Sequence, residues 1–248
     1  MSIQRRALFI DDISKEVIFT DELQEASHDL EDKHEAENTD DKIEPAIHLE
    51  NANWLPALGY SSKFDGHTFL AGATESGKSY FIKKMILNDR YKRPVILFTN
   101  LTKDDESFAG MHENLIKFDP NGENGWDWLL KNQENKIFIF DDIRRNVMYQ
   151  NYRDKMLEEG RHLNTIVICV NHRLQDWYTT RVALNDCRFI VTFPSSNKGK
   201  VKSFLKDEYG LDKQQLHDLF RQTRDSRYMI IHRFAPVCVA STESIFKL

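Results

Sequence analysis

The stretch Gly72-Ala73-Thr74-Glu75-Ser76-Gly77-Lys78-Ser79 limits what this chain can fold into more than any other. It follows the apolar run His67-Thr68-Phe69-Leu70-Ala71 and precedes Tyr80-Phe81-Ile82-Lys83-Lys84-Met85-Ile86-Leu87, so G-x-x-x-x-G-K-S stands between a strand and a helix. That is the context a phosphate-binding loop needs. Glycines at both ends let the backbone curl tightly, so its N–H groups and the helix N-terminus face a polyphosphate. Lys78 is then expected to reach the terminal phosphates and Ser79 to hold Mg²⁺.

A length of 248 residues suits one large α/β domain, or one domain with an extra arm. The net charge of −5 hides a division, because residues 11–50 carry 15 Asp or Glu against three Lys, net −12, which leaves +7 for the rest. A basic body beside an acidic arm suits a nucleic-acid partner, and it equally suits plain solubility. Cys169, Cys187 and Cys238 are odd in number and set in apolar runs, so they read as reduced core residues of an intracellular protein. No apolar run approaches the roughly 20 residues of a membrane span, and the expectation is a soluble, unexported protein.

Residues 1–50 are expected to form an acidic, flexible N-terminal arm. Its few apolar residues, Phe9, Ile10, Val17, Ile18 and Phe19, could alternatively dock on a neighbouring copy. Residues 51–248 are assigned to a single domain. From Trp54 onward, short apolar runs alternate with helical stretches, the pattern of a mostly parallel sheet with helices on both faces. Strands are predicted at 67–71, 94–99, 137–141, 165–170, 188–193 and 228–234, and helices at 77–89, 150–160, 201–208 and 212–222. Trp126 and Trp128 follow a Gly/Asn/Asp-rich turn and read as core anchors.

Lys136-Ile137-Phe138-Ile139-Phe140-Asp141-Asp142 is a buried strand ending in two carboxylates. Asp141 is placed to bind Mg²⁺ with Ser79, and Asp142 to orient or deprotonate an attacking water. The next apolar strand ends in Asn171-His172-Arg173, where ligands bind in open α/β sheets, so Asn171 and His172 are candidate sensors of a terminal phosphate. Arg161 ends the preceding helix and is a candidate arginine finger for a neighbour's site, in competition with Arg144, Arg145, Arg153 and Arg181. A helix-terminal arginine also complements the helix dipole.

The order G-x-x-x-x-G-K-S, then I-F-I-F-D-D, then G-R-H-L-N-T-I-V-I-C-V-N-H resembles the genome-packaging ATPases of large double-stranded DNA viruses and virophages, the poxvirus-type enzymes of the FtsK/HerA superfamily. The resemblance covers roughly residues 60–240. It implies a RecA-like P-loop NTPase fold in which an extra strand separates the phosphate-loop strand from the Asp-Asp strand. It also implies that Gly72, Ala73, Thr74, Glu75, Ser76, Gly77, Lys78, Ser79 and Tyr80 surround ATP, with Ser79 and Asp141 on Mg²⁺. Lys78, Asp142, Arg161 and one of Asn171 or His172 then act in catalysis. His172 stands where glutamine is common, and Glu75 where glycine is frequent.

The function implied is an ATPase motor that moves double-stranded DNA, without regard to sequence, into a preformed capsid. Its partners would be capsid or vertex proteins and further copies of itself in a pentameric or hexameric ring. Its location would be the host cytoplasm, a viral factory or the virion. Lys198, Lys200, Lys202, Lys206, Arg221, Arg224 and Arg227 are candidates for the DNA channel or for a neighbour's acidic arm, against the plain alternative of a solvated helix face. A small-molecule or nucleoside kinase and a slow nucleotide-dependent assembly factor are the competing readings.

Overall fold

The computed structural model of the chain describes residues 6–26, 43–60, 64–100, 108, 115–174 and 177–248. It divides into two compact units, Leu58–Phe189 and the combination of Met1–Ala57 with Ile190–Leu248. In the second of these, the chain begins with β1 (Ala7–Asp11), β2 (Val17–Phe19), β3 (Ile47–His48) and β4 (Trp54–Pro56). β1 pairs antiparallel with both β2 and β4, placing Phe9 opposite Pro56 and Ile10 opposite Leu55.

This corrects the reading of the first residues as a free or docking arm. Phe9 and Ile10 are fully buried and Ile18 nearly so within the chain's own fold, so they are not available to a neighbour. A carboxylate helps fix the segment: Asp11 accepts backbone N–H bonds from Ser14 and Asn53, each at 2.6 Å. Burial alone would raise the pKa of Asp11, but these donors outweigh it and hold the carboxyl below its ordinary value. Residues 27–42 of the expected arm lie outside the described residues.

The other unit runs β5 (His67–Ala71), α1 (Lys78–Leu87), β6 (Val95–Thr99), β7 (Leu115–Lys117), α2 (Trp126–Lys131), β8 (Ile137–Asp141), α3 (Val147–Glu159), β9 (Ile166–Asn171) and α4 (Trp177–Asp186). Its strands are all parallel, in the order β5-β9-β8-β6-β7. Every residue of β5 and β9 is buried, as are the first four of β8, so both faces of the sheet are covered. α3 packs on β9 and α4 on β5. Over β6 and β8 lies an aromatic cluster in which Phe98 stacks on Phe140 at 4.5 Å, while Trp126 meets Phe118 at 4.9 Å and Tyr152 at 5.4 Å. Trp126 is thus a packing anchor, as the sequence suggests.

Two residues fix the phosphate-loop strand to its neighbours. His67 Nε2 donates to the Leu157 carbonyl at 3.0 Å, and His67 Nδ1 accepts from the Val167 N–H at 2.9 Å, tying β5 to α3 and β9. Gly160, just past α3, passes so close that a Cβ there would lie 2.5 Å from the Met156 carbonyl oxygen and 2.7 Å from that of Thr165. Only glycine allows the turn from α3 into β9 at this point.

Burial lowers the His67 pKa from 6.5 to about 4, only partly offset by the bond to Leu157. As pH falls below 6.5 the unfolded chain takes up the proton first, so stability is lost progressively down to the folded value. The loss amounts to about 3 kcal/mol. The urea midpoint of the wild-type chain should therefore drop steeply between pH 6.5 and 4.5, and much less in His67→Gln. Equal slopes would contradict this assignment.

The chain leaves this unit through β10 (Cys187–Thr192) and continues with α5 (Pro194–Tyr209), α6 (Lys213–Gln222), β11 (Met229–His232), β12 (Cys238–Ala240) and β13 (Ser244–Lys247). β11, β12, β13 and β3 form consecutive antiparallel pairs. α5 begins seven residues before the expected position 201, because Pro194 sits in the first turn, where its missing N–H costs nothing. α6 opens on a capping box made by Asp212 and Gln215. The three cysteines are buried and free, as expected. Among the described residues, no helix is long and apolar enough to cross a membrane.

Candidate nucleotide-binding site

Parallel strands bring their carboxyl ends to one edge, and the register places the candidate residues there together. Ala71 pairs with Asn171, Val170 with Asp141, and Asp141 with Thr99. β9 lies between the phosphate-loop strand and the Asp-Asp strand, the arrangement that the family resemblance implies. The first loop amide is fixed from this side, as the Gly72 N–H donates to the Asn171 carbonyl at 3.1 Å. Asn171 is buried at the end of β9.

The loop reverses through two left-handed residues, Glu75 at φ 63° and Gly77 at φ 101°, and Gly77 caps α1. Glycine is at ease there, whereas Glu75 adopts a conformation that costs a side chain roughly 1 kcal/mol or more. The exposure of Glu75 keeps its charge in solvent. Ala73 and Thr74 are exposed on the loop, and Tyr80 is 60% exposed with the Lys84 ammonium 5.6 Å from its ring centre.

Lys78 donates to the carbonyls of Gly72 and Ala73, each at 2.8 Å. Desolvation lowers its pKa, while the fields of Asp141 and Asp142 act in the opposite direction. Both carboxylates are therefore close enough to act on the ammonium across the width of β9.

The residues fit a Mg-nucleotide. The loop offers amide donors at a helix N-terminus, a lysine and the half-buried Ser79, and the buried Ser76 Oγ has no hydrogen-bond partner. Among the described residues no group of three or more His, Cys, Asp or Glu side chains is arranged to hold a metal ion by itself. Mg²⁺ held by Ser79, Asp141, phosphates and water needs none.

Asp142 stands just beyond β8 at φ 45°. Its N–H donates to the Val170 carbonyl at 3.2 Å, which ties the turn to β9. Around its carboxylate, Arg144 Nε donates to Oδ1 at 3.0 Å and His172 Nε2 lies 3.4 Å from Oδ2. Asn100, just past β6, donates from Nδ2 to the Asp142 carbonyl at 3.0 Å. His172 thus joins Asp142, whereas Asn171 contributes its backbone to the phosphate loop.

Asn100 carries no motif in the sequence, and Arg144 stands there only as a candidate finger for another chain. A polar residue ending a strand beside the Asp-Asp strand was the available signal, but it needs the sheet order to be read. Arg153 is buried and paired with Asp154 at 2.6 Å, which removes it as a finger candidate. Arg161 is exposed in the turn before β9, at the amino end of that strand. About 17 Å of strand separates it from the phosphate-loop edge.

The sequence matches no family model. It is 28% identical over 183 residues to an uncharacterized protein, V3, of Sputnik virophage, a match spanning 69% of this chain and 72% of the relative. Among solved structures it is similar to the cytoplasmic domain of the type VII secretion ATPase EccC of Thermomonospora curvata, with TM-score 0.50 and 13% identity over 81% of this chain. The match spans 28% of that longer protein. Another similar structure is the genome packaging NTPase B204 of Sulfolobus turreted icosahedral virus 2 in complex with ATP-gammaS. There the TM-score is 0.39 and the identity 14%, over 74% of this chain and 97% of that one. The likeness to EccC agrees with the strand order in showing a P-loop ATPase fold.

Proposed function

We propose that this chain hydrolyses ATP and uses the energy to drive double-stranded DNA into a viral capsid. It would work as a ring of identical subunits in the infected cell. The observation that carries the ATPase reading is the single edge on which the phosphate loop, Asp141 and Asp142 converge, with Lys78 in the field of both carboxylates. The virophage relative, the resemblance of the three motif segments to packaging ATPases and the basic balance outside residues 11–50 support the DNA reading.

In this mechanism the loop amides and Lys78 bind the phosphates. Ser79 and Asp141 would hold Mg²⁺, which would supply charge neutralisation for the phosphoryl oxygens. Asp142 orients the attacking water and accepts its proton at a carboxylate oxygen. Asn171, fixed to Gly72, and His172, fixed to Asp142, transmit loss of the terminal phosphate to the loops beyond β9. Arg161 completes the site of the next subunit, and its distance from its own phosphate loop supports a role in trans. DNA is gripped through its phosphates, with Lys198, Lys200, Lys202, Lys206, Arg221, Arg224 and Arg227 as candidate contacts.

Phosphate release measured against protein concentration, with and without duplex DNA, tests this reading. The rate per chain should rise with concentration and with DNA, and Arg161→Ala should lower it about 1,000-fold. A concentration-independent rate that is unchanged in Arg161→Ala would refute the shared site.

A further inference from the structure

The surroundings of Asp142 hold more than hydrolysis requires. A cavity of about 580 Å³ is lined by Asn100, Asp142, Arg144 and Arg145, on the side of Asp142 facing β6. Two adjacent arginines in a cleft suit a phosphate-type anion, since a guanidinium fork matches its oxygens. Among the described residues of that lining the carboxylate is Asp142, which engages Arg144 at 3.0 Å. Arg145 is exposed and pairs with no carboxylate among the described residues.

The geometry points to a phosphate-anion site in this cavity, in which the incoming phosphate takes Arg144 from Asp142 and so releases the carboxylate for hydrolysis. The coupling rests on the proposed role of Asp142 in hydrolysis. The same chemistry is carried by a DNA backbone phosphodiester and by free inorganic phosphate. Asn100 holds the backbone of Asp142 through its carbonyl, and His172 remains on the other carboxylate oxygen. Release of Arg144 therefore reorients Asp142 without dismantling its turn.

Coupling of this kind is reciprocal. If Asp142 competes with the phosphate for Arg144, removing its charge must strengthen phosphate binding, even without nucleotide. The test compares the full-length wild type, Asp142→Asn, Arg144→Ala and the double variant at fixed ionic strength. Duplex DNA binding is read by fluorescence anisotropy, and inorganic phosphate binding by the rise in melting temperature.

Asp142→Asn should bind at least one of the two about five-fold more tightly than wild type, and the gain should vanish in the Arg144→Ala background. A gain for DNA identifies the backbone as the ligand, and a gain for inorganic phosphate alone identifies the free anion. No gain for either, or a gain of the same size without Arg144, overturns the proposal. A gain in a chain that does not hydrolyse ATP refutes the proposed function and leaves this site standing, whereas DNA-stimulated hydrolysis without the gain does the reverse.

Discussion

Lys78→Ala should abolish nucleotide binding, lowering kcat/KM for ATP by about 1,000-fold, or ~4 kcal/mol. Its ammonium already lies on the loop, bonded to Gly72 and Ala73 at 2.8 Å. Partial burial lowers its pKa and also weakens the competition from water, so a triphosphate there meets a poorly hydrated cation. Charge-assisted bonds to phosphate are stronger than those to the neutral carbonyls, and binding therefore redirects the side chain. Gly77 and the Gly72–Asn171 bond also hold the loop and remain when the two Lys78 bonds are lost. The variant should remain folded, its melting temperature lower by no more than about 4 °C. Equilibrium binding of a fluorescent ATP analogue, with circular dichroism as the fold check, measures both.

Asp142→Asn should behave differently, keeping ATP affinity within about three-fold of wild type while kcat falls about 1,000-fold. The backbone at φ 45° is one that asparagine tolerates at least as well as aspartate, so the substitution removes the carboxylate without straining the turn. Alanine would add a conformational cost of roughly 1 kcal/mol and confuse the result. Single-turnover hydrolysis of bound ATP separates the two effects. A variant that turned over at the wild-type rate would instead favour a slow assembly factor, in which Asp142 only caps the end of β8.

The parts legible in sequence were those with strong periodic or positional signals. β5, β8 and β9 read correctly because parallel strands buried on both faces appear as unbroken apolar runs. The turn between β5 and α1 was legible because its glycines, lysine and serine have fixed offsets. β1 was taken for part of an arm because its apolar run is flanked by Arg5, Arg6 and the acids from Asp11 onward; its pairing with β4 joins residues more than 40 positions apart. α4 was missed because Trp177-Tyr178-Thr179-Thr180 is rich in β-branched and aromatic residues, which lack a strong helical preference.

The environment of Asp142 was legible only in part. Spacing identified the carboxylate and the histidine ending the next strand. The pairing of Thr99 with Asp141 is what brings Asn100 beside Asp142. The turn after β8 then directs Arg144 back onto the carboxylate, away from the role of a distant finger.

In the proposed function, hydrolysis at this edge moves the chain along duplex DNA. Displacement of a fluorescent third strand from a triplex placed partway along a linear duplex measures that motion directly. The wild-type chain should displace the strand in an ATP-dependent way at concentrations where it assembles, and Asp142→Asn should not, although that variant still binds DNA. Hydrolysis that proceeds at full rate with the third strand left in place would contradict the proposed function.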